Sequence, residues 1–599
     1  MQPSSDTHIA QEVWTLYQQV LKEASALVLN KDYPSPYHRF SAYNLAAYLA
    51  YKKNTSREFL QALRSQGLCL SSREHVIQSL QIICSNMGLI SAVNRIENPH
   101  ALTQKRKEDV FGTRTHPETP HIMLTLDAKM ISSTIIEQLL LNGMTIARIN
   151  CAYDDPSTWD KMIESIRHAE ARLQAQGLYE SQHCRIYMDL AGPKIRINIL
   201  NQVAQPLVIQ IPQKGIDPST QAKKGLIRTN AQASQLLQNN SYDFVIDVQS
   251  HERMHLLTAG DKLICLDSRH VKREFLITKV IHSGFEVILE KTAYIDDSTI
   301  LQSIKHKVWL QVTNMETIAA PLQVRKSDRI KLLLKENSEG GFSIDHKIPC
   351  ITVNLPEAFA NVKKGHTVFI DDGKIQGVVT ACHDDEVEIE ITSPETEIII
   401  RDSKGINLPD TPVGLTVPSL TAKDEKDLEF IAQRADMVGI SFVHSPNDLQ
   451  RLKRLLHIYH RENFPVIAKI ETKEAVSHFS SILQEGLTFP YFGVMVARGD
   501  LAINAGFSQM PIIQEEILSL CRAAHTPVIL ATQVLDTLAK KGVPSRSELA
   551  DLSLGSEFDC VMLNKGPFIT EAVKFLQDTL LLISEVKAYN ASITRVMRT

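Results

Sequence analysis

The stretch 464–501, FPVIAKIETKEAVSHFSSILQEGLTFPYFGVMVARGDL, decides the fold. It reads as strand, helix, strand. One apolar run closes in Lys469 and Glu471, an amphipathic segment follows, and a second apolar run closes in Ala497, Arg498, Gly499 and Asp500. Short apolar strands separated by a helix imply parallel pairing through a right-handed crossover. Alternate residues of a strand share a face, so Lys469 and Glu471 point the same way. A strand stopping in Lys-x-Glu beside one stopping in Arg-Gly-Asp gathers two carboxylates and an ammonium. The carboxylates suit a hard cation that keeps sites for water and substrate oxygens. The ammonium suits the charge of a phosphoryl group in transfer.

The same alternation extends in both directions. Upstream it gives HIMLTLD, MTIARIN and CRIYMDL with helical segments between them; downstream it gives PVILATQ and DCVMLNKG, and DMVGISFV precedes the quoted stretch. Eight strands, each followed by a helix, predict an α/β fold, a (β/α)8 TIM barrel. The alternation breaks at Gly192-Pro193 and gives way to about two hundred β-rich residues, so a β domain is expected after the third strand. The expected organisation is a helical N-terminal extension over 1–115, a catalytic barrel over 118–197 and 408–599, and an enlarged inserted lid over 198–407. In the extension, EVWTLYQQVLKEASALV, SAYNLAAYLAYKK and REHVIQSLQIICSN show helical spacing, with Ser71 or Ser72 as the cap of the third. The polar stretch 97–120 reads as a linker. Only one helix follows the eighth strand.

Bulk properties exclude several classes. A formal charge of −4 over 599 residues gives no nucleic-acid or anionic-membrane footprint. The nine cysteines are dispersed, without a Cys-x-x-Cys pair, which fits a reducing compartment better than a disulfide or zinc framework. The first residues lack a basic start and an apolar run, so the expected location is cytoplasmic.

In a barrel of this kind chemistry lies at the C-terminal ends of the strands. Those ends carry Arg148 and Asn150, Asp189, Ser441 and Phe442, Lys469 and Glu471, Arg498 to Asp500, Thr532, and Asn564 and Lys565. A single charge closing a strand is usually solvated; recurrence at one end of many strands points to a shared site.

With GMTIARIN, DLAGPKIR, FIDDGKI, SKGINLP, LTAKDEKDL, ISFV, AKIE, VMVARGDL, PVILATQVL, PSRSE and VMLN in order, the chain resembles pyruvate kinases from about His121 to Ser584. The resemblance implies phosphoryl transfer from phosphoenolpyruvate to ADP, giving pyruvate and ATP. It implies Glu471 and Asp500 as ligands of Mg²⁺ (or Mn²⁺) and Lys469 as the charge-stabilising catalytic residue. Arg148 and Arg196 would bind phosphate, with Asn150 alongside. Backbone at Ala497, Arg498 and Gly499, and the Thr532 hydroxyl, would hold the substrate carboxylate, with Thr532 near the proton path. Lys404 would meet nucleotide phosphates, and Asp371 lies on the closing lid.

Departures from the family pattern are informative. Ala152 stands where the family's K⁺-ligating Ser is usual, and Lys194 stands where K⁺-dependent members carry Glu. The resemblance then implies a tethered ammonium, Lys194, with Asn150 and Asp189 nearby, in place of K⁺, and activity without K⁺. No counterpart of the family's C-terminal effector domain is expected. The segment 200–320 looks like an addition to a lid that is complete from SDRIKL onward. A homodimer is expected, with no nucleic-acid or membrane partner. The alternatives are a non-catalytic regulatory relative and a Mg²⁺-dependent aldolase or decarboxylase of the phosphoenolpyruvate/pyruvate barrel group.

Overall fold

In the computed structural model, eight parallel strands close a barrel: β1 (His121–Thr125), β2 (Ile146–Asn150), β3 (Arg185–Asp189), β4 (Met437–Ile440), β5 (Val466–Ile470), β6 (Phe492–Ala497), β7 (Val528–Ala531) and β8 (Cys560–Leu563). The structure describes residues 5–596 apart from 30, 71, 92, 94–99, 115, 132, 180–182, 200–201, 212–221, 230–241, 250, 283, 316, 320 and 336–347. Nearly every strand position is buried, because helices cover the outside and side chains fill the inside. The interior is packed by Met123, Ile146, Tyr187, Met437, Ile467, Met495, Ile529 and Met562. The expected barrel, with its β insertion after the third strand and its helical N-terminal region, is what the structure contains.

The N-terminal region folds as α1 (Ser5–Val28), α2 (Pro36–Asn54), α3 (Arg57–Ser65), α4 (Val76–Asn86) and α5 (Ala101–Phe111). Residues of α1, α2 and α4 share one continuous hydrophobic core with the barrel helices. Polar contacts pin the same seam: Asn44 donates to Ala523 O at 2.8 Å, and the Asn44 carbonyl accepts from Val76 N at 2.8 Å.

Two local expectations differ from the structure. The stretch read as a linker contains α5, whose last residues Val110 and Phe111 enter the barrel's interior core from its N-terminal end. The run QKRKED hid this helix, since only two apolar residues at its end are buried. The cap expected from Ser72 is also absent: α4 begins after His75, and the Ser72 hydroxyl accepts from Glu74 N at 3.1 Å in a local turn. Ser71 lies outside the described residues.

The insertion has two cores. A seven-stranded sheet, from Ile197–Asn198 and strands between Arg329 and Asn407, packs around Ile330, Val368, Ile389 and Ile406. A second closed barrel of seven strands, between Lys223 and Thr313, packs around Phe244, Phe275, Val287 and Leu310. A two-stranded ladder, Gln202–Ala204 against Thr317–Ala319, links this nested barrel to the lid sheet.

Candidate active site

The C-terminal mouth of the barrel holds a chain of buried charges. Asp189, 1% exposed at the end of β3, accepts from Arg148 Nε at 3.0 Å and from Tyr187 OH at 3.1 Å, and lies 3.2 Å from Lys469 Nζ. Arg148 also donates to Thr125 Oγ1 at 2.8 Å. Lys469 donates to Ser441 Oγ at 2.8 Å and lies 3.0 Å from Glu471 Oε1. The other Glu471 oxygen accepts from Phe442 N at 2.8 Å. Five strand ends therefore build one network, with β5 presenting Lys469 and Glu471 to the same side.

The electrostatics follow from this packing. Burial alone disfavours the Lys469 ammonium, but Asp189 and Glu471 outweigh it and hold its pKa above the ordinary lysine value. Burial likewise raises Asp189, and Lys469 and Arg148 overcome it, so that carboxylate titrates below its usual range. Glu471 goes the other way: burial raises it, Lys469 opposes, and the charges of Asp500 and Asp189 add to the rise.

Asp500 lies in the first turn of the short helix Arg498–Ala505. Lys194 straddles it, with Nζ 3.1 and 3.3 Å from the two carboxylate oxygens. Asn407 Nδ2 approaches one of these oxygens at 3.4 Å. The Asn407 side chain is 6% exposed, and its Oδ1 has no hydrogen-bond partner. Next to this group, Gly499 N donates to Thr532 Oγ1 at 2.9 Å. Thr532 and Gln533 both take left-handed backbone, φ 67° and 62°, at the end of β7; Phe442 does so after β4, at 51°. Such conformations in non-glycine residues carry strain that the surrounding packing must hold.

Other candidate residues sit further out. Lys404 pairs with Asp371 at 2.8 Å, and Lys374 holds the other oxygen at 2.9 Å, on a turn where Asp371 and Asp372 are left-handed. Arg196 donates to Ser403 O at 2.9 Å. The Arg498 side chain turns away to Asp551 at 2.9 Å and to Thr532 O at 2.7 Å, so only its backbone faces the mouth region of Gly499. Lys565 reaches Asp127 at 2.7 Å.

Lys194, Asn150 and Asp189, expected as one group, each bond to a different partner. Asn150 Oδ1 accepts from Ala152 N at 3.0 Å, Asp189 is taken by Arg148, Tyr187 and Lys469, and Lys194 engages Asp500. Lys194 lies on the chain entering the lid, with Asp500 within its reach. Sequence reading also missed Thr125 and Asn407. Thr125 ends β1 but carries no charge to mark it. Asn407 lies inside the quoted SKGINLP but carries no charge to single it out.

Comparison with known proteins agrees with this geometry. Residues 307–573 match the family described as "Pyruvate kinase, barrel domain". Similar proteins include pyruvate kinases of Bacillus licheniformis, 32% identical over 38% of this chain and 39% of that protein, and of Clostridium acetobutylicum, 31% identical over 37% and 46%. That of Geobacillus stearothermophilus is 30% identical over 45% and 46%. The chain spans less than half the length of these relatives. The matched family segment begins after β3, beyond most of the nested barrel. Among the described residues no helix is long and apolar enough to cross a membrane. By these matches the barrel of this chain is similar to the barrel domain of pyruvate kinases, and its strand-end constellation accords with that likeness.

Proposed function

We propose that the chain transfers the phosphoryl group of phosphoenolpyruvate to ADP, with Mg²⁺ and without a requirement for K⁺. The observation that carries this reading is the buried Lys469 ammonium between Asp189, Glu471 and Ser441, beside the Glu471 and Asp500 carboxylates. The donor set fits a hard cation: two carboxylates, Glu471 and Asp500, lie close enough that the charge of Asp500 adds to the rise that burial gives the Glu471 pKa. Glu471 and Asp500 would hold Mg²⁺, which when bound would offset phosphate charge and orient substrate oxygens.

The chain's own residues divide the remaining tasks. Lys469 stays protonated and supplies fixed positive charge to the phosphoryl group as it moves, with no reorganisation at the moment of transfer. Asp189 fixes the Arg148 fork through Nε and Nη2, which orients the guanidinium for phosphate oxygens. Thr532 Oγ1 accepts the Gly499 N–H, so its own hydrogen remains to donate to a substrate carboxylate or enolate. Lys404 and Lys374 on either side of Asp371 supply positive charge at the lid for nucleotide phosphates. Lys194, kept charged by Asp500 against the cost of burial, supplies a cation that does not leave.

The test is pyruvate release from phosphoenolpyruvate with ADP and Mg²⁺, in K⁺ and in an ionic-strength-matched choline buffer. Equal, substantial rates support both parts of the proposal. A rate only with K⁺ removes the K⁺ part, and no rate from folded protein in either buffer removes the kinase reading.

A further inference from the structure

The lid meets the barrel at two chain crossings, and both deliver a side chain to the same carboxylate. Lys194 precedes Ile195 and Ile197, and Asn407 sits between Ile406 and Leu408; all four of those apolar residues are buried in the lid core. Asp500 belongs to the barrel. Its two oxygens are straddled by Lys194 Nζ at 3.1 and 3.3 Å, and Asn407 Nδ2 reaches one of them at 3.4 Å. Lys194 and Asn407 also line a common cavity of about 50 Å³ with Phe442, Thr472 and Asn504. Gly405 keeps the path of the lysine open, since a Cβ there would lie 3.0 Å from Lys194 Cε.

A divalent cation held by Asp500 and an ammonium straddling the same carboxylate compete for its oxygens. The displaced ammonium, on a side chain three-quarters buried, loses a strong ion pair and gains from a new acceptor within the same crossing. Beside it lies a buried acceptor without a partner, Asn407 Oδ1. The bond that fixes the present orientation of that amide is long, at 3.4 Å, so turning the amide over sacrifices little.

We propose that Asn407 is a positioning residue that receives the Lys194 ammonium when a divalent cation takes Asp500. The hand-over rests on the cation reading of Glu471 and Asp500 given above. It keeps both lid crossings tied together while releasing the barrel carboxylate, so cation binding shifts the lid hinge without cutting it. Asp372 and Glu471 also attract Lys194 and are the competing destinations.

The experiment is Mn²⁺ titration of the full chain, followed by the electron paramagnetic resonance of free Mn²⁺, without substrate, nucleotide or K⁺. Coupling of this kind is worth on the order of tenfold in affinity. Lys194→Met is expected to tighten Mn²⁺ about tenfold, since the competitor is gone. Asn407→Leu is expected to weaken it about tenfold, and to have no effect in the Lys194→Met background; Asn407→Ser serves if the leucine variant does not fold. Equal effects of the Asn407 substitution in both backgrounds overturn the hand-over, as does an effect at Asp372→Asn with none at Asn407. Glu471→Gln separates the two layers: if wild type does not bind Mn²⁺, or Glu471→Gln binds it as well, the cation reading falls and takes the hand-over with it.

Discussion

Lowering the pH from 7.5 to 5 should loosen this protein through two histidines that no chemistry requires. His525 is fully buried where α2 and α4 dock on the barrel, its Nδ1 3.1 Å from Ser41 Oγ and its ring 5.7 Å from those of Phe40 and His75. Burial, with His75 and Arg106 adding repulsion, lowers its pKa to about 3. His121 opens β1 at 1% exposure beside Phe111; burial, then Arg114 and Lys107, hold it well below the ordinary value. Both stay neutral when folded and take a proton when unfolded, near pH 6.5. Their contribution is complete above that unfolded value and is lost as pH falls below it. Each costs about 1.4 kcal/mol per pH unit there, or about 2 kcal/mol between pH 7.5 and 5, hence about 4 kcal/mol for the pair. The assay is urea unfolding followed by tryptophan fluorescence at several pH values, and the readout is the slope of stability against pH between 6 and 5. His525→Phe should remove about 1.4 kcal/mol per unit from that slope, whatever it does to absolute stability. An unchanged slope would refute the argument that this imidazole remains neutral in the seam.

Three further outcomes follow from the barrel. Asp189→Asn leaves Arg148 and Lys469 without their shared charge and should cost about 3–5 kcal/mol, seen as a fall of roughly 6–10 °C in the barrel's melting temperature; a fall under about 2 °C would contradict the shared-carboxylate picture. Phe111→Ala withdraws the α5 plug and should cost about 3–5 kcal/mol, measured by urea unfolding, with no change in Mn²⁺ affinity. Lys469→Met should lower phosphoryl transfer by on the order of 10²–10³ while Mn²⁺ binding, measured without substrate, persists.

The barrel was legible because its strands are short apolar runs punctuated by helices, and a buried parallel strand leaves that trace whatever surrounds it. The charged ends were legible for a related reason: Lys469, Glu471 and Asp189 are costly to bury and stand out against runs such as FPVIA and CRIYM. What sequence did not disclose were relations made by tertiary reach. Arg498 reads as a mouth residue, yet its guanidinium is spent on Asp551. Lys194 reads as a substitute cation, and its bond to Asp500 is a relation that only the folded chain makes. Helix α5 buries only Arg106, Lys107, Val110 and Phe111, a pattern with too few apolar residues for periodicity to reveal.

The insertion also sets a timetable for synthesis. Strand β4 pairs with β3, but about 250 residues separate Asp189 from Met437. At ribosomal rates of about 5–20 residues per second, the edge of β3 waits roughly 12–50 s for its neighbour. In that interval the nested barrel and the lid sheet, each with its own core, can close as they emerge. Their closure brings Ile197 and Asn407 into one sheet and so shortens the loop that β3 and β4 must span. The appendage that breaks the barrel in sequence thus acts during translation as the splint that lets its halves meet.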